Sequence, residues 1–200
     1  ELSELHKGSK AYPRELIEAR QYLYQKLSEQ NGRAVKVSIL ADLLDISQER
    51  WRNAVEGYLG NNKLLLVVEP KYAKQAVALY QEMDHRKFFR VSVLDTEKVT
   101  ERKHHVQEHA LAKAVKTREE YVRSFIDFLL GNVVQCESVE QMRQFSVAVT
   151  EDCMLYQGYR LQHINPDNYI KYAYIGAESL KRRMSMLKKR RDELEKKWQP

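Results

Sequence analysis

Two stretches, Glu49-Arg-Trp-Arg-Asn-Ala-Val-Glu-Gly-Tyr-Leu-Gly60 and Tyr121-Val-Arg-Ser-Phe-Ile-Asp-Phe-Leu-Leu-Gly131, determine how the middle of this chain folds. Each stretch is amphipathic with helical spacing and ends at a Leu-Gly pair, where glycine can take the left-handed conformation that closes a helix. Each is followed by a short apolar strand and a second helix: Leu65–Val68 with Tyr72–Glu82, and Val133–Val134 with Val139–Phe145. This order predicts a diverged internal repeat and a mixed α/β fold with two lobes. The alternative is that two Leu-Gly helix ends coincide by chance.

Further strands are predicted where β-branched and aromatic residues cluster in short runs. These runs are Ala34–Leu40, Phe88–Leu94, Ser146–Thr150 and Tyr169–Ile175. Between the two copies of the repeat, Glu97–Arg118 is charged and contains neither glycine nor proline, which predicts an exposed helical connector. We therefore expect lobe 1 at residues 33–100, the connector at 101–120 and lobe 2 at 121–176.

Both ends of the chain predict helices with coiled-coil spacing. In residues 177–198 the seam is Leu180, Met184, Leu187, Arg191, Leu194 and Trp198, at steps of 4, 3, 4, 3 and 4. A 3.5-residue period lets an apolar stripe follow a partner helix over several turns. At the other end Pro13 suits a first helical turn, the same spacing recurs at Tyr12, Leu16, Ala19 and Leu23, and Asn31-Gly32 ends it. We expect arms at 1–32 and 177–200 that pair as an antiparallel coiled-coil stub; the alternative is two ordinary surface helices.

The net charge of +6 is concentrated in the C-terminal helix, where residues 177–198 hold nine basic and four acidic residues. A basic patch of this kind could attract DNA phosphates by releasing counterions. The candidate DNA-binding residues are Lys181, Arg182, Arg183, Lys188, Lys189, Arg190 and Arg191. The alternative is a solvated helix face.

The run Ile39-Leu-Ala-Asp-Leu-Leu-Asp-Ile46, followed by Ala54-Val-Glu56 and Val67-Val-Glu69, resembles the first half of hinge domains in structural-maintenance-of-chromosomes (SMC) proteins. The second half is similar through Leu129-Leu-Gly-Asn-Val-Val134, Ser138-Val-Glu-Gln141 and Val147-Ala-Val-Thr150. The resemblance covers roughly residues 34–176. Within that superfamily, Tyr12-Pro13 and the stretch 49–59 are most similar to bacterial MukB-like condensins of the MksB and Wadjet JetC type.

This resemblance implies a homodimeric hinge that joins two long arms, with the ATPase heads elsewhere in the parent chain. It implies a complex with other condensin-type subunits that loads on double-stranded DNA, in chromosome organisation or plasmid defence. The expected location is the bacterial cytoplasm, at the nucleoid and without a membrane partner. A nucleic-acid-binding module that uses the basic C-terminal helix is the alternative function.

Dimerisation is expected to use strand edges from both lobes, paired between subunits by backbone hydrogen bonds. The candidate interface residues are Val91, Val93, Tyr169, Tyr172, Tyr174 and Gly176. Typical hinges end with a glycine-rich run, whereas only Gly158 and Gly176 occur here. Tyrosines take up the stretch instead, so the interface is expected to be bulkier.

The sequence predicts no catalytic, cofactor-binding or metal-binding residues, and hence no enzyme activity in this fragment. Gly57-Tyr-Leu-Gly-Asn-Asn-Lys63 lacks the spacing of a phosphate-binding loop. His105 and His109 are four residues apart but have no third ligand nearby in sequence. Cys136 and Cys153 have neither metal-type spacing nor the setting of a nucleophile, which favours core packing in a reducing compartment.

Overall fold

The computed structural model describes residues 11–198, with the side chains at 177–183 and 186 excepted. The α-helices are α1 (Arg14–Asn31), α2 (Arg52–Leu59), α3 (Ala73–Gln81), α4 (His85–Phe88), α5 (Thr96–Thr100), α6 (Glu120–Leu130), α7 (Val139–Met142) and α8 (Gly176–Lys197). The strands are β1 (Ser38–Ile39), β2 (Asp45–Ile46), β3 (Leu66–Val67), β4 (Val115–Lys116), β5 (Val134–Cys136), β6 (Val147–Thr150), β7 (Met154–Gln157) and β8 (Arg160–His163). The predicted mixed α/β fold is confirmed.

The strands form three small sheets. Strand β1 pairs antiparallel with β3, and β2 pairs antiparallel with β4. The third sheet has the order β5-β6-β7-β8, in which β5 and β6 are parallel and the later pairs are antiparallel. No helix among residues 11–198 is both long and apolar enough to cross a membrane.

The internal repeat is visible as the same hydrogen bonds in both halves. The amide of Leu40 donates to the carbonyl of Leu65 at 2.9 Å, and the amide of Leu111 donates to that of Val133 at 2.7 Å. A short 3-10 helix follows each of these amides, at Leu40–Leu43 and at Leu111–Ala114. Strands β2 and β4, which come directly after them, pair with each other where the halves meet. The two copies of the repeat therefore begin at or before Leu40 and Leu111, earlier than the predicted starts at Glu49 and Glu119.

The largest of the three hydrophobic clusters among the described residues is shared by the two halves. One cluster of buried side chains contains Trp51 and Leu59 from the first half together with Phe125, Ile126 and Val149 from the second. Each half thus buries part of its apolar surface against the other, while a second cluster lies within the first half and a third within the second half.

The predicted helical connector is wrong. Helix α5 ends at Thr100, and turns lead from there to the 3-10 helix at Leu111–Ala114. Leu111 and Ala112 are buried in the shared core. The predicted connector thus contains a short apolar run, Ala110–Ala112, that is buried in the core although the residues before it are charged.

Two of the predicted strands are also wrong. Phe88 is the last residue of α4, after which only Val93 makes an isolated bridge, to Leu66. Residues 169–175 form turns and irregular backbone. Side chains such as Tyr174 and Ile175 are apolar because they enter the core, and not because they belong to a sheet.

Helix α1 belongs to the domain, which corrects the expectation that its stripe pairs with the C-terminal helix. Leu16, Ala19, Leu23 and Leu27 are at most 3% exposed. The buried side chains around them come from α3, β1, β3 and neighbouring segments: Val35, Val37, Ile39, Leu66, Val68, Tyr72, Ala76, Leu79, Met83 and Val91. Residues 1–10 and 199–200 of the predicted arms lie outside the described residues.

Candidate functional site

The chain enters and leaves the domain at the same place. The rings of Tyr12 and Tyr174 have centroids 4.8 Å apart. The Tyr174 hydroxyl donates to the carbonyl of Ala11 at 3.3 Å, and the Tyr12 hydroxyl donates to Asp42 at 2.7 Å. Burial, followed by the negative charge of Asp42, raises the pKa of Tyr12. The incoming and outgoing segments are therefore tied to each other before either becomes an arm.

A buried carboxylate on α2 holds the outgoing segment. Glu56 is fully buried and accepts the amides of Tyr174 and Ile175 at 2.9 and 2.8 Å, one on each carboxylate oxygen. The ammonium of Lys63 lies 3.2 Å from the same group. Burial raises the pKa of Glu56, while Lys63 and the two amides lower it part of the way back. The carboxylate thus replaces the partners that a strand would have given these two amides.

Lys63 completes this arrangement. It is 1% exposed, and besides Glu56 its ammonium donates to the carbonyls of Asn168 at 2.7 Å and Tyr172 at 2.6 Å. An ammonium has three donors, so all of them are satisfied. A buried lysine with three acceptors keeps its charge at less cost than an unpaired one.

Arg52 holds the last residue before α8. Its guanidinium donates to the carbonyl of Ile175 at 2.9 Å, and it is paired with both carboxylate oxygens of Glu49 at 2.6 and 3.0 Å. We call Arg52, Glu56 and Lys63, together with the segment 168–176 that they bind, the exit clamp. It joins α2 and its C-terminal turn to the root of the outgoing helix.

Gly176 closes the exit clamp at the first residue of α8. Its φ of +73° lies in the left-handed region, and a Cβ there would come within 3.1 Å of Asp45 Oδ1. Glycine meets both requirements without strain. Of the predicted interface residues, Tyr172, Tyr174 and Gly176 are therefore brought together in the exit clamp and do not form a sheet edge.

The remaining predicted interface residues, Val91, Val93 and Tyr169, are buried or half-buried. Val91 is 2% exposed and, within the exit clamp, Tyr174 is 3% exposed, so neither side chain is accessible to a partner in this conformation. Tyr169 is half-buried beside Gly57 and Ile164. Val93 is half-buried.

The four-stranded sheet has one covered edge and one exposed edge. The outer side of β5 is covered, because Val134 bridges Ala110 and the amide of Gln135 donates to His109. Strand β8 at the other side is exposed along its whole length. The hairpin that carries this edge was missed in the sequence, although Gly158 was a turn signal.

A second strand edge lies in the first half, at Val93. The amide of Leu66 donates to the carbonyl of Ser92, and the amide of Leu94 donates to the carbonyl of Leu66, both at 2.9 Å. Residues 92 and 94 thus face β3, so the N–H and C=O of Val93 point to the opposite side. In the repeat the parallel bridge between Leu66 and Val93 corresponds to the parallel pair β5 and β6. Strand β7 covers the outer side of β6, whereas no described strand pairs with that side of Val93.

The basic residues of α8 are exposed where they are described. Lys188, Lys189, Arg190 and Arg191 all face solvent, and Arg191 lies 3.7 Å from Asp192 and 3.9 Å from Glu195. The side chains of Lys181, Arg182 and Arg183 lie outside the described part of the helix.

The described residues contain no group of three or more His, Cys, Asp or Glu side chains that could hold a metal ion. His105 and His109 are exposed, and both cysteines are buried. The burial of Cys136 and Cys153 agrees with the expected core packing.

The described residues thus form a mixed α/β module in which the segment at Ala11 and Tyr12 lies beside the root of α8. The sequence profile described as the SMC proteins Flexible Hinge Domain matches residues 36–146. The chain therefore belongs to the SMC hinge family, whose domain is structural and not itself catalytic. No curated protein matches the chain.

Solved hinge structures show the same fold at low sequence identity. The hinge domain of the Pyrococcus furiosus SMC protein has a TM-score of 0.52 at 23% identity, over 74% of this chain and 86% of its own. The Pyrococcus furiosus Smc hinge domain with an extended coiled coil has the same score and identity, over 98% of this chain and 76% of its own. An asymmetric dimer of the Geobacillus stearothermophilus SMC hinge domain gives 0.50 at 17% identity, over 98% and 90%.

Proposed function

We propose that this chain is a homodimerising hinge that joins two coiled-coil arms of an SMC-type ATPase. The observation that carries the proposal is that one domain has two open backbone edges, at β8 and at the Val93 bridge, and that its incoming segment at Tyr12 lies beside the root of α8. The Geobacillus stearothermophilus relative was solved as a dimer, which supports self-association as the role of such a domain. The domain would act mechanically, by holding two copies together while each copy fixes the root of its own arms.

Dimerisation would use β8 of one copy and the Val93 edge of the other. The internal repeat supports this pairing. Val93 corresponds to β6 in the second half, and there the outer side of β6 is covered by the antiparallel strand β7. In a two-fold dimer, β8 of each copy would pair with the Val93 edge of the other copy, so that neither edge remains open. Arg160–His163 thus replaces Tyr169–Ile175 as the second edge, while the prediction for Val93 is kept.

The arms would leave from the exit clamp. Helix α8 extends beyond the domain with Leu194 and Trp198 exposed, 48% and 86%, on the predicted seam. An apolar stripe of this kind is stable in water only when a partner helix covers it. The contact between Tyr12 and Tyr174 places the incoming segment beside the root of α8, so the covering helix would be the other arm of the parent protein.

The orientation of the β8 backbone provides a test. The amide of Ile164 donates to the carbonyl of Cys153 at 3.0 Å, so this is a hydrogen-bonded pair of the antiparallel ladder. Such pairs alternate along a ladder, which makes the pair of Tyr156 and Leu161 a non-hydrogen-bonded one. The N–H of Leu161 therefore points to the open edge.

We expect Leu161→Pro to convert the dimer to monomers in sedimentation equilibrium. Proline removes the outward N–H and leaves the bonds to β7 in place, and it is tolerated on edge strands. The matched control is Leu161→Ala, which removes the side chain but keeps the N–H, and it should stay dimeric. A folded Leu161→Pro variant that remains dimeric would exclude β8 from the interface.

A second candidate function is binding of double-stranded DNA by α8, favoured by the exposed run Lys188–Arg191. Replacing these four residues with glutamine should weaken duplex binding and reduce the slope of affinity against salt concentration, without changing the dimer. Complete loss of binding with a flat salt dependence would make nucleic-acid recognition the main role. Unchanged binding would show that Lys188–Arg191 does not contact the duplex.

The finer assignment to MukB-like condensins, of the MksB or Wadjet JetC type, rests on the resemblance of Tyr12-Pro13 and residues 49–59 alone. Under that assignment the parent protein would be a bacterial cytoplasmic ATPase. It would act at the nucleoid with condensin-type partner subunits, in DNA organisation or plasmid defence. Expression of the parent operon in cells challenged with plasmids would separate the two roles.

A further inference from the structure

The hairpin that carries the open edge ends in an exposed tyrosine. Strands β7 and β8 are joined by the two-residue loop Gly158-Tyr159. The φ angles of these residues are +59° and +60°, so both are left-handed. The Tyr159 side chain is 95% exposed, which is the highest value among the large hydrophobic side chains of the described residues.

Tyrosine is an unfavourable choice at this position. Two-residue loops with both residues left-handed favour Asn, Asp and Gly, because a bulky side chain is strained at positive φ. A strained residue persists when it serves a purpose or when the surrounding structure holds it in place. A side chain that is 95% exposed receives almost no packing energy from its own chain to offset the strain.

We propose that Tyr159 is an anchor residue that packs against a second copy of this chain. The proposal rests on dimerisation through β8, which it deepens by naming a side chain that determines affinity. Leu161, whose N–H faces the open edge, is only two residues away, so pairing of that edge brings the hairpin tip onto the partner's surface. Tyrosine is well suited to this role, because it gives a large rigid contact area and loses little side-chain entropy.

Substitutions at Tyr159 separate the effect of backbone strain on stability from the effect of the ring on dimerisation. Tyr159→Gly relieves the left-handed strain, and Tyr159→Asn replaces the ring with a residue that tolerates this conformation. Both changes should raise the urea midpoint of the isolated subunit, measured in the Leu161→Pro background. If the ring contributes as much as an interface hot spot, both changes should also raise the dimer dissociation constant by about 30-fold.

The experiment is sedimentation equilibrium of the otherwise unaltered chain carrying Tyr159→Gly, Tyr159→Asn or Tyr159→Phe. We expect weaker association for the first two variants. Tyr159→Phe keeps the ring, so it should stay within about threefold of the unaltered chain. A dimer dissociation constant unchanged in Tyr159→Gly would overturn the anchor.

The outcomes separate this inference from the proposed function. If Leu161→Pro is monomeric while Tyr159→Gly dimerises normally, only the anchor is wrong. If Leu161→Pro is dimeric, the edge pairing itself is wrong. A Tyr159→Gly variant that dimerises normally but loses binding to a single-stranded oligonucleotide would assign the ring to base stacking, which also overturns the anchor.

Discussion

Glu56 and Lys63 form the most deeply buried ion pair described in the domain, and its role is to bond backbone groups of the outgoing segment. Both side chains are at most 2% exposed. Between them they bond two amides and two carbonyls of residues 168–175, which belong to no sheet. A buried ion pair adds little net stability by itself, because both charges lose their hydration. Here it satisfies backbone groups that would otherwise be buried without partners.

Lys63→Met should destabilise the domain by about 3 to 5 kcal/mol, because it leaves the Glu56 carboxylate buried without its counter-charge. The free energy of unfolding in urea measures this loss. The double variant Glu56→Gln with Lys63→Met should recover part of it. Lys71→Met is the matched control, since Lys71 and Glu69 form an exposed pair that contributes less than about 1 kcal/mol. Equal losses for Lys63→Met and Lys71→Met would contradict a structural role for the exit clamp.

Cys153 should be unreactive in the folded protein. Burial, reinforced by the nearby charge of Asp152, raises the pKa of its thiol to about 11. At pH 8 only about one molecule in a thousand would carry the thiolate, which is the reactive form. A chromogenic disulfide reagent should therefore label Cys153 slowly at pH 8 and rapidly in denaturant. Fast labelling of the native Cys136→Ser variant would show that the thiol is exposed or activated.

Among the elements, the long helices and the strands β1, β3, β5 and β6 were predictable from the sequence, whereas β2, β4, β7 and β8 were not. The periodicity of residues 49–60 and 121–131 extends over two or more turns, and both stretches are helical. Strands β2 and β4 are two residues long, too short to show an alternating pattern. Phe88–Leu94 and Tyr169–Ile175 have strand-like composition, but long-range contacts determine their backbone.

The same limit explains why the exit clamp was missed. The amphipathic pattern of α2 gave no reason to place Glu56 inside, because its partners Tyr174 and Ile175 are more than a hundred residues away in sequence. The sequence did indicate that Tyr174 and Gly176 matter. It could not show that they hold the first turn of the outgoing helix α8.

Leu23→Ala in α1 should cost about 2 to 5 kcal/mol of unfolding free energy, because Leu23 is fully buried in the domain. Leu194→Ala in α8 should change it by less than about 0.5 kcal/mol in this chain, since Leu194 is 48% exposed. Chemical denaturation of the two variants makes the comparison. Similar small effects would mean that α1 is an arm, as its heptad spacing first suggested.

At the scale of the molecule, the shared core predicts one cooperative unfolding transition. Trp51 is 3% exposed in the cluster that joins the two halves. Trp198→Phe leaves Trp51 as the single tryptophan of the chain. Its fluorescence and the far-UV circular dichroism should then change at the same urea concentration. Two separate midpoints would show that the halves unfold as independent lobes.

The contact between Tyr12 and Tyr174 also has a practical consequence for protein engineering. Because the two termini of the folded body are neighbours, the body can be grafted into a surface loop of an unrelated host without pulling that loop apart. A short peptide across the same gap would permit circular permutation, with new termini opened at a distant turn. The folded body could therefore be moved into other proteins as a single insertion module.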